Sequence, residues 1–341
     1  MLGSAPVASA APPAPARRRV IDFIVSHARL TTGRKPRLTP VLAPVKTLLI
    51  GMSPHGLRVE NTHMLRNNHS LFPVIRTAVK LAYKTYGQCG STRVTPLIVL
   101  HGLLGSKKNW ESMSKKLASG LDTCAVAADA RNHGESPHVN SHSYFDLASD
   151  VIKLMDTLGF KRATLIGHSM GGRTAMVVAL TQPDKIDRLV VVDISPISTA
   201  GILNNFFPRL IDAMKSVNFN GIKNLNDARN VAKNKMITSG VLSDTDGMNF
   251  LLMNIAMRKD RTIGWIYNLD TLKASFDLIA SFPKEIRNKK FFGHTLFVGG
   301  ESSNYIPLVA ATRDLRLLRN NWKDLLHQMD IRNFFEKGQM T

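Results

Sequence analysis

The sequence predicts an α/β protein: a mostly parallel sheet with helices on both faces and a helical lid over its carboxyl edge. Three observations carry this expectation. Short, fully apolar runs recur from Pro96 onward. Helix-length stretches lie between them, and this alternation builds parallel sheets buried on both sides. Residues 197–288 break the rhythm with a long segment rich in Met, Leu and Asn, which reads as a helical cover.

Residues 1–80 stand apart as a basic leader. An Ala/Pro stretch precedes Arg17-Arg18-Arg19, and 12 Lys or Arg face only Asp22 and Glu60, so +10 of the chain's +20 lies here. Arg-rich, acid-poor composition suits an organelle transit peptide, the alternative being a disordered tail. A cleaved secretory signal fits poorly, because the arginines follow the Ala/Pro run instead of preceding an apolar core. The longest apolar patch nearby, around Leu48–Met52, is too short to cross a bilayer, so no transmembrane span is expected. With no zinc-finger spacing, basic zipper or aromatic RNA-binding signature, nucleic acid is not an expected partner. Two cysteines, Cys89 and Cys124, argue against a disulfide framework and for a reducing compartment. Cys124, within an apolar run, is expected to be a small buried hydrophobe.

From Leu81 the core begins (81–196, resuming at 289–341). Strands are expected at Pro96–Leu100, Thr123–Ala128, Ala163–Gly167, Leu189–Asp193 and Thr295–Val298. Helices are expected at Asn109–Ser119 and Ser143–Leu158.

Three glycine-bearing segments carry chemistry. Gly167-His168-Ser169-Met170-Gly171 follows one strand and opens a helix, the pattern of a serine nucleophile on a tight elbow. Glycines two residues to either side remove Cβ atoms that would clash in so sharp a turn. Ser169 is the candidate nucleophile, and the helix start favours developing negative charge. Acyl transfer also needs two backbone N–H groups aimed at an oxyanion. Met170, after the serine, is one candidate. Leu103, in His101-Gly102-Leu103-Leu104-Gly105 after the first strand, is the other. His101 itself reads as structural. The third segment, Asp129–Ser136, reads as a loop bracing the elbow, with His133 as scaffold.

HGLLGSKKNW, DARNHGESPH, GHSMGGRTAM and VVDISP occur in that order, and together they resemble the α/β-hydrolase superfamily. The resemblance runs from Leu81 to about Pro307. It extends to mitochondrial members and to bacterial YbfF-type esterases. It implies a serine ester hydrolase acting on acylglycerol-like lipids, diacylglycerol above all, in the mitochondrial matrix. No cofactor and no metal are implied. The expected ligand is a small ester or lipid, and any protein partner would be mitochondrial. Serine at 169 argues against the epoxide and haloalkane hydrolases of this fold, which place Asp there.

The serine needs a histidine base oriented by a carboxylate. Asp193 matches the acid of the bacterial relatives, and Asp270 the acid assigned in the mitochondrial ones; both follow Ser169 in the chain. Relatives carry the histidine in a Gly-His after a final strand. Here the match ends at Pro307, with no Gly-His beyond, so the final strand is expected to be missing or altered. His327 lies in an amphipathic, helix-like tail and reads as a surface or groove residue, although it stands about where a base belongs in the chain. His294 precedes a strand at the wrong edge, and His168 adjoins the nucleophile too closely to turn back on it. The alternative function is therefore a catalytically impaired binding or regulatory protein. Phe206, Phe207, Met214 and Leu251 are expected to line an acyl pocket or to form plain core.

Overall fold

The computed structural model describes residues 48–51, 78–90, 94–204, 206–242, 245–258 and 260–299. Among these the strands are β1 (Leu48–Gly51), β2 (Tyr83–Tyr86), β3 (Leu97–Leu100), β4 (Ala125–Ala128), β5 (Ala163–His168), β6 (Ile186–Val192), β7 (Ile255–Met257), β8 (Ile263–Trp265) and β9 (His294–Gly299). β7 and β8 form a separate antiparallel hairpin. The others join one sheet in the order β1-β9-β6-β5-β3-β4-β2. Its inner five strands run parallel, and β1 and β2 pair antiparallel at the two edges.

Side chains alternate across a strand, so each apolar run feeds two cores. Leu97, Val99, Ala127 and Val190 meet Met113 and Leu117 of α1 (Glu111–Leu121) on one face. Ile98, Leu100, Leu165 and Val191 meet Val151 and Met155 of α2 (Tyr144–Thr157) and Met176 of α3 (Met170–Thr181) on the other. Reciprocal bonds between Ser143 and Asp146 cap the start of α2, satisfying donors that a helix end leaves open.

The segment after β6 carries α4 (Ala200–Leu203), α5 (Phe207–Lys215), α6 (Leu225–Thr238), α7 (Thr245–Leu252), the β7–β8 hairpin, α8 (Leu269–Ala274) and α9 (Phe276–Ala280). This insertion has its own apolar core, in which Phe207, Met214 and Leu251 are buried. They are thus packing residues, whereas Phe206 is 41% exposed. Arg173, buried in α3, holds both ends of the insertion. Its guanidinium donates to the carbonyls of Ser195 and Ile197 at the entry and of Ile279 at the exit. Thr199 N–H closes the same junction on Ala280 O at 2.8 Å. The insertion rests on loops at the carboxyl ends of β3 and β4, through bonds such as Gly134 N–H to Ile266 O at 2.8 Å.

Both edge strands escaped the sequence reading. β2 buries one residue of four, so it lacks an apolar run. β1 lies within the leader, pairing Leu48–Gly51 with Gly299–Leu296, and Val79 N–H at the leader's end donates to Asp150; the transit-peptide reading otherwise concerns residues outside those described, and His327 also lies outside them. Among the described residues β9 is the last element, with β1 on its outer side. No helix among them is long and apolar enough to cross a membrane.

The cysteine expectation is corrected. Cys89 and Cys124 form a disulfide. The antiparallel register sets Tyr86 opposite Ala125, which brings the turn after β2 against the residue before β4. That meeting of distant segments has no local sequence signal. The bond closes a loop of 35 residues, and chain-entropy loss in the unfolded state makes such a cross-link worth about 3–4 kcal/mol. Urea unfolding with and without reductant is expected to show a loss of that size. Coincident midpoints would show that the bond contributes nothing.

Candidate active site

Ser169 sits between β5 and α3 at φ 51°, ψ −115°, a left-handed setting that non-glycine residues seldom adopt and that gathers at functional sites. Its N–H donates to Val192 O at 3.0 Å, and its carbonyl accepts from Arg173 N–H at 3.0 Å. The flanking glycines do what the sequence argument required. A methyl group on Gly171 would lie 2.6 Å from His101 O, and one on Gly167 would lie 2.6 Å from Gly172 N. Neither contact is tolerable, so α3 starts tight against the ends of β3 and β5.

The same approach seats the loop after β3 over the serine. A methyl on Gly102 would stand 3.3 Å from Ser169 Cβ and 2.7 Å from His168 Nδ1. His101 fixes this loop. Its Nε2 accepts from Ala130 N–H at 2.9 Å, so the ring proton resides on Nδ1, which donates to Gly102 O at 2.8 Å. Gly105 N–H donates to that same oxygen at 3.0 Å. Peptides are planar and their N–H opposes the C=O. A carbonyl drawn back into the loop therefore turns the Leu103 N–H outward. Met170, at the first position of α3, supplies the neighbouring N–H.

The Asp129–Ser136 loop braces the Gly102–Leu103 loop directly, and reaches the elbow only at one remove. Asp129 accepts from Lys107 Nζ at 2.5 Å, Lys107 N–H at 2.6 Å and Glu135 N–H at 2.9 Å. Arg131 fixes the loop to α2 through paired bonds to Asp150 at 2.6 and 2.7 Å. Asn132 donates to His142 Nδ1 at 3.3 Å, and His142 Nε2–H points at Met170 Sδ, also 3.3 Å away. His142 and Lys107 were not singled out from the sequence; nothing local marks them.

The two acid candidates part company. Asp193 is 1% exposed at the end of β6, with φ 55° and its N–H on Val298 O at 2.7 Å. It thus lies between the end of β9 and the elbow, one residue beyond the carbonyl that Ser169 engages. Asp270 sits in α8 with its side chain 79% exposed and paired with Lys215, on an open groove of the insertion whose lining does not include Ser169. Among the described residues no histidine is hydrogen-bonded to Ser169. His294 opens β9 opposite Arg188, at the far edge of the sheet as expected. His101, His133 and His142 are buried in mutual ring contact, centroids 5.1 and 5.6 Å apart.

These three histidines are held neutral. Burial lowers each pKa: His133 falls well below 6.5, with the neighbouring His101 and His142 adding to the effect. His142 falls to about 3, with Arg131 adding to burial. Asp129 partly opposes the drop at His101. In the unfolded chain each binds a proton below about pH 6.5, while the folded chain does not. Stability therefore declines as pH falls below about 6.5, and for His142 the decline continues toward pH 3, at a slope of about 1.4 kcal/mol per pH unit for a histidine that stays neutral when folded. Urea midpoints measured from pH 7 to 4.5 are expected to fall steeply, and a flat profile would contradict the neutral cluster.

A seven-stranded sheet with a serine on this elbow defines a class. A family model described as the alpha/beta hydrolase fold matches residues 95–236, and the chain belongs to that family. It is 38% identical over 234 residues to the sn-1-specific diacylglycerol lipase ABHD11 of Danio rerio, covering 68% of this chain and 71% of that one. Over 217 residues it is 38% identical to the Mus musculus protein of the same description, covering 64% and 68%. Among solved structures, a marine microorganism esterase superposes with TM-score 0.61 at 29% identity, covering 70% of this chain and 88% of that one. By this kinship the chain is an ester hydrolase.

Proposed function

We propose that the chain cleaves carboxylic esters of acylglycerol-like lipids through an acyl-enzyme on Ser169. The supporting observation is the seating of the Gly102–Leu103 loop directly on a left-handed serine at a helix start. The Ser169 hydroxyl attacks the ester carbonyl and passes its proton to a histidine. The N–H groups of Leu103 and Met170 bind the oxyanion, and the alcohol leaves with that proton. Water then attacks the acyl-enzyme, releasing the fatty acid and the free serine. Asp193 is the orienting acid, because it is buried beside the elbow and the end of β9. The family's order Ser, Asp, His puts the base beyond β9, where His327 is the histidine the sequence offers.

The substrate class draws support from relatives described as diacylglycerol lipases. The basic, acid-poor leader supports a mitochondrial location, where any protein partner would also be met. A fluorophosphonate probe reacts only with an activated serine. Applied to the full chain, it is expected to label the peptide carrying Ser169, alongside release of fatty acid from diacylglycerol micelles. Absence of both would sink the reading.

A further inference from the structure

Leu104 is the second strained residue of the site. It follows the Leu103 amide and sits at φ 55°, in the left-handed region that a γ-branched side chain enters only when its surroundings force it. Both polar groups of Leu104 are tied down. Its N–H donates to His133 Nε2 at 3.2 Å. Its carbonyl accepts from the Tyr267 hydroxyl at 2.5 Å and, more weakly, from Asn254 Nδ2 at 3.5 Å. His133 belongs to the core loop, whereas Tyr267 and Asn254 belong to the insertion. Asn254 also accepts from Ser106 Oγ at 2.7 Å, so the insertion grips the loop twice. The two clamps support one another: the Tyr267 ring stands edge-on to His133, centroids 5.6 Å apart. The backbones on either side are joined by Gly134 N–H to Ile266 O at 2.8 Å and Asn268 N–H to Asn132 O at 3.0 Å.

We propose that Tyr267 is a positioning residue for the oxyanion loop: its hydroxyl holds Leu104 left-handed, so the Leu103 N–H is presented to Ser169 only while the insertion is seated. This rests on the reading of Leu103 as an oxyanion donor. The insertion then does more than cover the site, since lifting it withdraws the donor from the Leu104 carbonyl. The strained loop loses what opposes its relaxation, and the preceding peptide is free to turn. Seating of the insertion and assembly of the oxyanion site become one event.

Tyr267→Phe removes one oxygen and keeps the ring against His133. Turnover of a soluble ester by the full chain is expected to drop about tenfold or more with KM changed less than about twofold, the signature of a contact felt in the transition state. Fluorophosphonate labelling of Ser169 is expected to slow in step. Thr123→Val is the control. It deletes another buried hydroxyl bonded to a backbone carbonyl, Val94 O, and lies away from the site, so it costs stability without slowing turnover. Equal kinetics for Tyr267→Phe and the wild type, or a loss no greater than that of Thr123→Val, overturns the proposal. Deuterium exchange at the Leu104 amide reads the loop without turnover. It is expected to quicken about tenfold in Tyr267→Phe, and unchanged exchange also overturns the proposal. A chain that hydrolysed nothing would contradict the functional reading, and exchange would still decide the coupling.

Discussion

Ser169→Ala is expected to lower ester turnover by about a million-fold, the scale set by removing the nucleophile of a serine hydrolase. The fold should survive, because the elbow is held by backbone bonds and not by the hydroxyl. Ser169 N–H on Val192 O and Arg173 N–H on Ser169 O persist in the variant, and alanine adds no atom to the gap beneath Gly102. Substrate affinity should change little, since the hydroxyl acts as a reagent more than as a binding group. The check is a paired measurement on wild type and variant: steady-state hydrolysis, and unfolding by urea. Turnover within tenfold of wild type would place the chemistry elsewhere.

The second large effect separates the two carboxylates. Asp193→Asn is expected to cost about ten-thousand-fold in kcat, the scale found when the orienting acid of a triad becomes its amide and the histidine takes the wrong tautomer. Asp270→Asn is expected to stay within about twofold, because an exposed pair such as Asp270–Lys215 contributes little. The two variants carry the same chemical change, so non-specific effects cancel in the comparison. The reverse outcome, with Asp270 essential and Asp193 dispensable, would require the insertion to swing α8 onto Ser169 in the working enzyme.

Much of this architecture was legible in the sequence, for identifiable reasons. A parallel strand is buried on both faces, so each inner strand announces itself as an apolar run; the expected runs at 96–100, 123–128, 163–167, 189–193 and 295–298 each overlap one, with β6 starting three residues earlier than expected. The elbow was legible because glycine is irreplaceable where backbones approach within a Cβ radius, as at Gly167 and Gly171. Edge strand β2 was hidden because an exposed strand needs no apolar signature. The choice between Asp193 and Asp270 stayed open because chain order satisfies both. What separates them is the end of β6 lying beside the elbow while α8 faces solvent. The disulfide, the His142 contact with Met170 and the Tyr267 clamp were invisible for a common reason. Each joins residues far apart in the chain, and only strand register or docking of the insertion brings them together.

The insertion departs and returns at one guanidinium. With Ser195, Ile197 and Ile279 gathered on Arg173 and Thr199 bonded to Ala280, its entry and exit form a closed neck. Closing a loop of any length across a preformed neck costs little extra entropy as the loop grows. Changes of length between those points therefore cost little, provided the cover keeps Tyr267 and Asn254 on the Leu104 carbonyl. The neck thus frees the length of the cover, while the contacts of Tyr267 and Asn254 with the Leu104 carbonyl keep one part of it tied to the loop beside Ser169.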